Sequence, residues 1–245
     1  MALSRFLAFD ALISRLVRLP LHAIPKNTTI RVLQGPLRGA RWIVGSSTHG
    51  CWLGTYERDF QSLFFSVLPQ RGVVWDVGAN VGFYSLLAAL KASKVIAFEP
   101  LPENLAYLNR HIALNHLEHR IEVCAAAASD HDGTGLFSSV PGNPSEGSLR
   151  SYGTLQVRTV RLDSQGTVPD LIKIDVEGNE HEVLRGAVET MRAHHPLVLV
   201  ARHSADSQCR DLLEEVGYEV SEIASGELMA QKTTRSKSNT FCVKS

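Results

Sequence analysis

Cysteine is scarce in this chain of 245 residues, and its four members, Cys51, Cys124, Cys209 and Cys242, form no C-x-x-C pair. That excludes a zinc ribbon and a thioredoxin-like redox motif, and no metal site is expected. So few cysteines in a chain this long also make no disulfide framework, which points to a reducing, cytoplasmic setting. Net charge is lacking too: Lys+Arg and Asp+Glu each number 25. No field gathers a polyanion, and nucleic acid is not an expected partner. No uncharged run approaches the ~20 residues that a membrane-spanning helix needs. The most apolar stretch, residues 1–24, is interrupted by Arg5, Asp10, Arg15 and Arg18. Its mixed charges do not follow the order of a signal peptide. It reads as an amphipathic helix packed on the domain, with a peripheral membrane contact through Arg15 and Arg18 as the alternative. No internal repeat or low-complexity segment is evident.

What is present suffices for a core, since 44% of the residues are hydrophobic. The length fits one sizeable domain with an extension. Residues 1–60 are expected to form a helical or irregular extension, and residues 61–245 the domain itself, with a loop or hairpin insertion near 130–160. From residue 72 onward short apolar runs alternate with helical patterns. Strands are expected over 73–78, 94–99, 121–128, 155–162, 170–176 and 196–201. Helices are expected over 81–90, from Leu101 through Ile112 and from Asn179 to Met191, the last opening on an Asn179–Glu182 capping box. Ser204 is expected to cap one more helix. Two closing strands, 219–223 and 240–243, have no helix between them and should pair antiparallel. The alternation implies a mostly parallel α/β sheet with helices on both faces and an antiparallel last strand.

Three constellations carry chemistry. The first is the strand-to-helix turn Asp76-Val77-Gly78-Ala79-Asn80-Val81-Gly82. Gly78 permits a tight turn, and Gly82 lets backbone approach a ligand closely. The helix start offers N–H groups to a carboxylate, and Asp76 can attract an ammonium. A ligand with an amino-acid end suits that combination. The second is Glu99, at the end of the next strand, where a carboxylate accepts hydrogen bonds from a ribose diol. A dinucleotide fingerprint would read G-x-G-x-x-G. Here Asn80 holds the middle position and an acid precedes the first glycine, which favours S-adenosyl-L-methionine over NAD. A NAD-dependent enzyme stands as the lesser alternative. The third is Ile172-Lys173-Ile174-Asp175-Val176-Glu177-Gly178. Lys173, Asp175 and Glu177 lie two apart and so share one strand face. They are either a self-neutralising structural pair or a site at the strand's carboxyl end.

With Gly54-Thr55-Tyr56-Glu57, Tyr84-Ser85, Phe98-Glu99-Pro100, Asn115, Ser129-Asp130, Arg161-Leu162-Asp163 and the Lys-Ile-Asp-Val-Glu-Gly block, the chain resembles the FkbM-type methyltransferases over residues 50–205. The resemblance implies a Rossmann-like class I methyltransferase sheet and O-methylation of a hydroxyl on a small-molecule or glycan-like acceptor. It implies cofactor contacts at Asp76, Gly78 and Glu99, with Asp175 beside the reacting end. The turn residues Asn80 and Gly82 complete the expected cofactor set. One departure stands out: the family's Glu-x-His at the end of the fifth strand reads Ala201-Arg202-His203 here. The candidate bases are therefore Asp175, Glu177 and His203, with Lys173 holding Asp175 ionised or orienting the acceptor. The missing acid also leaves open a catalytically silent, cofactor-binding partner subunit.

Overall fold

A computed structural model describes residues 23–140, 143–149, 153–201, 207–223 and 226–232. The helix expected over 1–24 lies almost wholly outside these residues, as do Arg202, His203, the Ser204 cap and the strand expected over 240–243.

Two short strands open the described chain, β1 (Thr29–Arg31) and β2 (Arg41–Ile43), paired as an antiparallel hairpin. Two helices follow, α1 (His49–Leu53) and α2 (Arg58–Val67). The central strands are β3 (Val73–Val77), β4 (Lys94–Phe98), β5 (Ile121–Cys124), β10 (Leu171–Ile174) and β11 (Leu197–Val200), all parallel. The sheet is completed by the hairpin β12 (Tyr218–Glu222) and β13 (Leu228–Lys232). Its order is β12-β13-β11-β10-β3-β4-β5, with β13 antiparallel to β11. This is the expected Rossmann-like arrangement, mostly parallel with an antiparallel end. The last described strand lies at 228–232, with the turn through Gly226 closing the hairpin after only a few residues.

Alternation along the central strands builds two cores. Val74, Val95, Ala97, Leu171 and Leu199 face one layer, while Trp75, Val77, Ile96, Phe98, Ile172 and Ile174 face the other. Both faces are apolar because both are covered, as parallel sheets require. The first layer holds α3 (Phe83–Ala88) and α4 (Pro102–Leu114); the second holds α5 (Glu180–Arg185), α6 (Val188–His194) and α7 (Gln208–Glu215). Residues 29–64 do not stand apart, because Trp42, Cys51, Trp52, Phe60 and Phe64 join the first core beside Leu86 and Leu108. The β1–β2 hairpin is clamped on α4. Arg41 exchanges two backbone hydrogen bonds with the Asn115 side chain, and the Ile43 N–H donates to His111 Nε2 at 3.1 Å.

Three local expectations change. The strand expected over 121–128 is two. After Cys124 the chain turns through an Ala126 N–H to Cys124 carbonyl bond of 2.8 Å. Ala127–Ala128 then leaves as β6 to join a second, four-stranded sheet. That sheet contains β7 (Gly133–Val140), β8 (Asn143–Leu149) and β9 (Leu155–Val160) in the order β6-β9-β7-β8, so the insertion expected near 130–160 is a hairpin, β7–β8, beside the strand expected over 155–162. The Asn179–Glu182 capping box does not form. Asn179 makes no side-chain cap, and its amide donates to the Leu149 carbonyl instead. Glu180 folds back to accept from the N–H groups of Val176 and Gly178. The helix expected from Asn179 to Met191 is broken at Gly186–Ala187. Asp163 caps its second half from outside, accepting from the N–H groups of Glu189 and Thr190. Among the described residues no helix is long and apolar enough to cross a membrane.

Candidate active site

At the carboxyl ends of β3, β4 and β10 lies a cleft of about 920 Å³, open solvent at its mouth included. Open α/β sheets bind ligands at this edge. Two loops make its floor. The one after β3 turns at Gly78, whose φ is +77°. A Cβ there would lie 1.8 Å from the Asp175 carbonyl oxygen, so the loops after β3 and β10 fit together only with glycine at this position.

Register places the charges. Lys173 on β10 is the cross-strand neighbour of Asp76 on β3. Asp76 is fully buried and Lys173 is 3% exposed. The Lys173 Nζ lies 3.2 Å from Asp76 Oδ1 and 3.4 Å from Asp175 Oδ2, and it donates to the Gly78 carbonyl at 3.3 Å. The Ser85 hydroxyl donates to the other Asp76 oxygen at 2.6 Å. Burial alone would lower the lysine pKa. The carboxylates of Asp76, Asp175 and Glu57 together outweigh it and hold the ammonium above the ordinary lysine range.

Glu99 follows the last residue of β4 and lines the cleft, 4% exposed. One oxygen accepts from the Asn80 N–H at 2.8 Å, the other from the Leu101 N–H at 2.9 Å and the Asn104 amide at 3.3 Å. Burial raises its pKa, and those three donors oppose the rise. Asn80 and Glu177 also line the cleft, and both hold left-handed backbone, φ +51° and +56°. For residues other than glycine that conformation costs about 1–3 kcal/mol, and it clusters where a site over-determines the chain.

The structure thus brings Gly78, Asn80, Glu99, Lys173, Asp175 and Glu177 to one cleft. It sets Asp76 behind them, sealed from the cleft by Lys173 and Ser85 rather than open to a ligand's ammonium. Gly82 is not in the lining either. A Cβ on it would meet the Leu108 side chain at 2.5 Å, so its missing side chain serves the packing of α3 on α4. Asp175 and Glu177 lie beyond the last residue of β10, in the loop, so the two-residue spacing does not set their facing. His203 lies outside the described residues.

Sequence reasoning gave Tyr56, Glu57 and Tyr84 no role. The Tyr84 hydroxyl donates to Glu57 Oε2 at 2.6 Å, and the Lys173 ammonium stands 5.0 Å from the Tyr84 ring centroid. Tyr56 and Tyr84 both line the cleft. Their signals were the Gly54-Thr55-Tyr56-Glu57 match for Tyr56 and Glu57 and the Tyr84-Ser85 match for Tyr84, neither of which says what the side chain faces.

The profile of the methyltransferase FkbM domain matches residues 76–220. The hexuronic acid methyltransferase AglP of Haloferax volcanii is 28% identical over 60% of this chain and 63% of its own. The methyltransferase sdnD of Sordaria araneosa is 29% identical over 62% of this chain and 76% of its own. The match therefore spans less than two thirds of AglP. Among solved structures, the methyltransferase FkbM of Methylobacillus flagellatus superimposes with a TM-score of 0.49 at 17% identity, over 75% of this chain and 55% of that one.

Proposed function

The chain belongs to the FkbM methyltransferase family, and from that premise we propose that it methylates a hydroxyl group on a small-molecule or glycan-like acceptor, with S-adenosyl-L-methionine as donor. The observation that carries the reading is the cleft itself: a buried carboxylate at one end, Glu99, and the Lys173–Asp175 pair at the other. The chemistry of these groups fits the cofactor. Glu99 keeps one oxygen lone pair that its three donors do not use, on Oε2, and a ribose hydroxyl is the partner for it. Gly78 and Asn80 would face the amino-acid part, with Asp76 acting through Lys173. The cofactor, when bound, supplies an activated methyl carbon and a good leaving group.

The chain's own task is to place the acceptor and take its proton. An aliphatic hydroxyl does not ionise early, so a base beside it contributes typically ~10²–10⁴-fold. Asp175 and Glu177 are the carboxylates at the cleft suited to this. Lys173, 3.4 Å from Asp175, fixes that carboxylate in place or orients the acceptor. His203 follows β11 closely and is the third candidate. Asp175→Asn should then cut turnover by about a hundredfold or more while the melting temperature changes little. A fall of about 3–5 kcal/mol in stability with normal turnover of the folded fraction would instead make Asp175 a structural counter-ion.

Ligand-dependent stability tests the cofactor. S-adenosylhomocysteine at 100 times its dissociation constant should stabilise the fold by about 2.7 kcal/mol in thermal or urea unfolding, and NAD should give no shift. A NAD shift without an S-adenosylhomocysteine shift would overturn the reading. Cofactor binding without turnover on a broad panel of hydroxylated acceptors would instead favour a silent partner subunit.

A further inference from the structure

The balanced charge of the whole chain is not spread evenly along it. No Asp or Glu stands between Asp10 and Glu57, while Arg15, Arg18, Lys26, Arg31, Arg38 and Arg41 do. The structure gathers the last four of these on and beside the β1–β2 hairpin, and all four are exposed. Arg31 and Arg41 are direct cross-strand partners, so they stand side by side on one face. Arg38 lies in the turn that joins the two strands, and the Lys26 side chain runs against Gly45 just beyond β2. α4 adds the exposed Arg110, whose guanidinium donates to the Asn27 side chain at 3.3 Å. Leu33 follows β1 and is 59% exposed, although Val32 before it and Leu37 after it are buried. Among the described residues none of Lys26, Arg31, Arg38, Arg41 and Arg110 forms an ion pair.

Like charges directly opposite each other destabilise a strand pair. A negatively charged surface laid over β1 and β2 removes that cost. An exposed leucine among the cations gains nothing from a phosphate backbone, but it does gain from insertion at a bilayer interface. We propose that this hairpin face docks the protein on an anionic lipid surface, with Lys26, Arg31, Arg38 and Arg41 set against the headgroups and Leu33 at the acyl boundary. The chain reaches this face at residue 23 from a stretch rich in Leu, Ile, Val, Phe and Ala that also holds Arg15 and Arg18. That sequence carries the same two ingredients, apolar side chains and arginines, and so suits the same partner. The docking is independent of the cofactor reading, because none of these residues lines the cleft.

Sedimentation of the full chain with lipid vesicles tests this without cofactor or acceptor. Phosphatidylcholine vesicles containing about a third phosphatidylserine should carry the protein down, and phosphatidylcholine alone should not. Binding should fall steeply between about 50 and 200 mM salt. Arg31→Gln with Arg41→Gln should weaken it by about twentyfold or more, since each basic residue at such a surface counts for roughly fivefold. Leu33→Ser should weaken it by about threefold and leave the salt dependence as it was. Arg31→Lys with Arg41→Lys should keep most of the binding, which separates lost charge from a damaged fold. Arg38→Gln, in the turn, should cost about fivefold and keeps the test available if the double glutamine variant fails to fold. No binding to either vesicle, equal binding to both, or phosphatidylserine binding that these variants leave unchanged would overturn the proposal. Binding to a DNA duplex in place of the vesicles would assign the face to nucleic acid and overturn it as well. Each of these outcomes leaves the cofactor reading as it stands.

Discussion

His111 is a residue whose charge state the fold commits. It is fully buried and stacks on Trp42 with ring centroids 4.0 Å apart. One ring nitrogen meets the Val81 carbonyl at 2.8 Å, and the other accepts the Ile43 N–H. The ring can do both only while neutral, because a protonated Nε2 has no lone pair to accept with. Burial pulls its pKa down from 6.5 to about 4, the Val81 carbonyl opposing and Arg110 adding slightly. Since the folded value lies below the unfolded one, His111 contributes its full stability above pH ~6.5. That contribution fades as pH falls towards 4, by up to about 3 kcal/mol. Urea midpoints of wild type and His111→Gln should therefore diverge at pH 7 and converge between pH 6 and 4. Parallel pH curves for the two proteins would refute this account.

At the scale of elements, the parallel strands and α4 were legible in the sequence because one strong period governed each. Val73–Val77, Lys94–Phe98 and Leu197–Val200 are short apolar runs bounded by turn residues, and Leu101, Leu105, Leu108 and Ile112 mark one helical face. Misreadings fell where a distant partner decided. Nothing local says that Ala127 and Ala128 pair with Thr159 and Val160, so the strand through them read as continuous. Asn179 and Glu182 had capping-box spacing, yet the Leu149 carbonyl draws the asparagine away and Glu180 serves the loop before the helix. The candidate site divides the same way. Glu99, Gly78 and Lys173 sit in motifs whose chemistry is local, whereas the Glu57–Tyr84 bond joins residues 27 apart and left no periodic trace. Asp76 carried the right charge for a ligand but belongs to the scaffold of Lys173, a distinction that only burial makes.

For the molecule as a whole, residues 29–64 are part of the core rather than an appendage to it. Trp42 and Phe64 are fully buried, and Tyr56 walls the cleft. A chain beginning at residue 61 would leave Leu86, Leu108 and Ile112 without partners from that segment. Each large buried apolar side chain is worth about 1.5–3 kcal/mol, against a typical total stability of about 5–15 kcal/mol. Such a chain should show no cooperative thermal transition and no S-adenosylhomocysteine binding by calorimetry. A sharp transition with retained binding would show the segment to be dispensable.

The pairing of β3 with β10 also sets a timetable. These neighbours are tied at their start by Val73 and Asp170, 97 residues apart, through the Asp170 carboxylate and a return bond to the Val73 carbonyl. A ribosome adding about 5–20 residues each second needs roughly 5–20 s to cover that distance. β3 is made throughout that interval and β4 for most of it, both apolar on two faces, and the strand that will lie on the other side of β3 is still lacking. Asp76 spends the same interval without its lysine, its charge still hydrated, and so holds one end of β3 open to water until Lys173 arrives. The carboxylate that ends as the most deeply buried charge of the site thus begins as a guard against premature collapse of the strand that carries it.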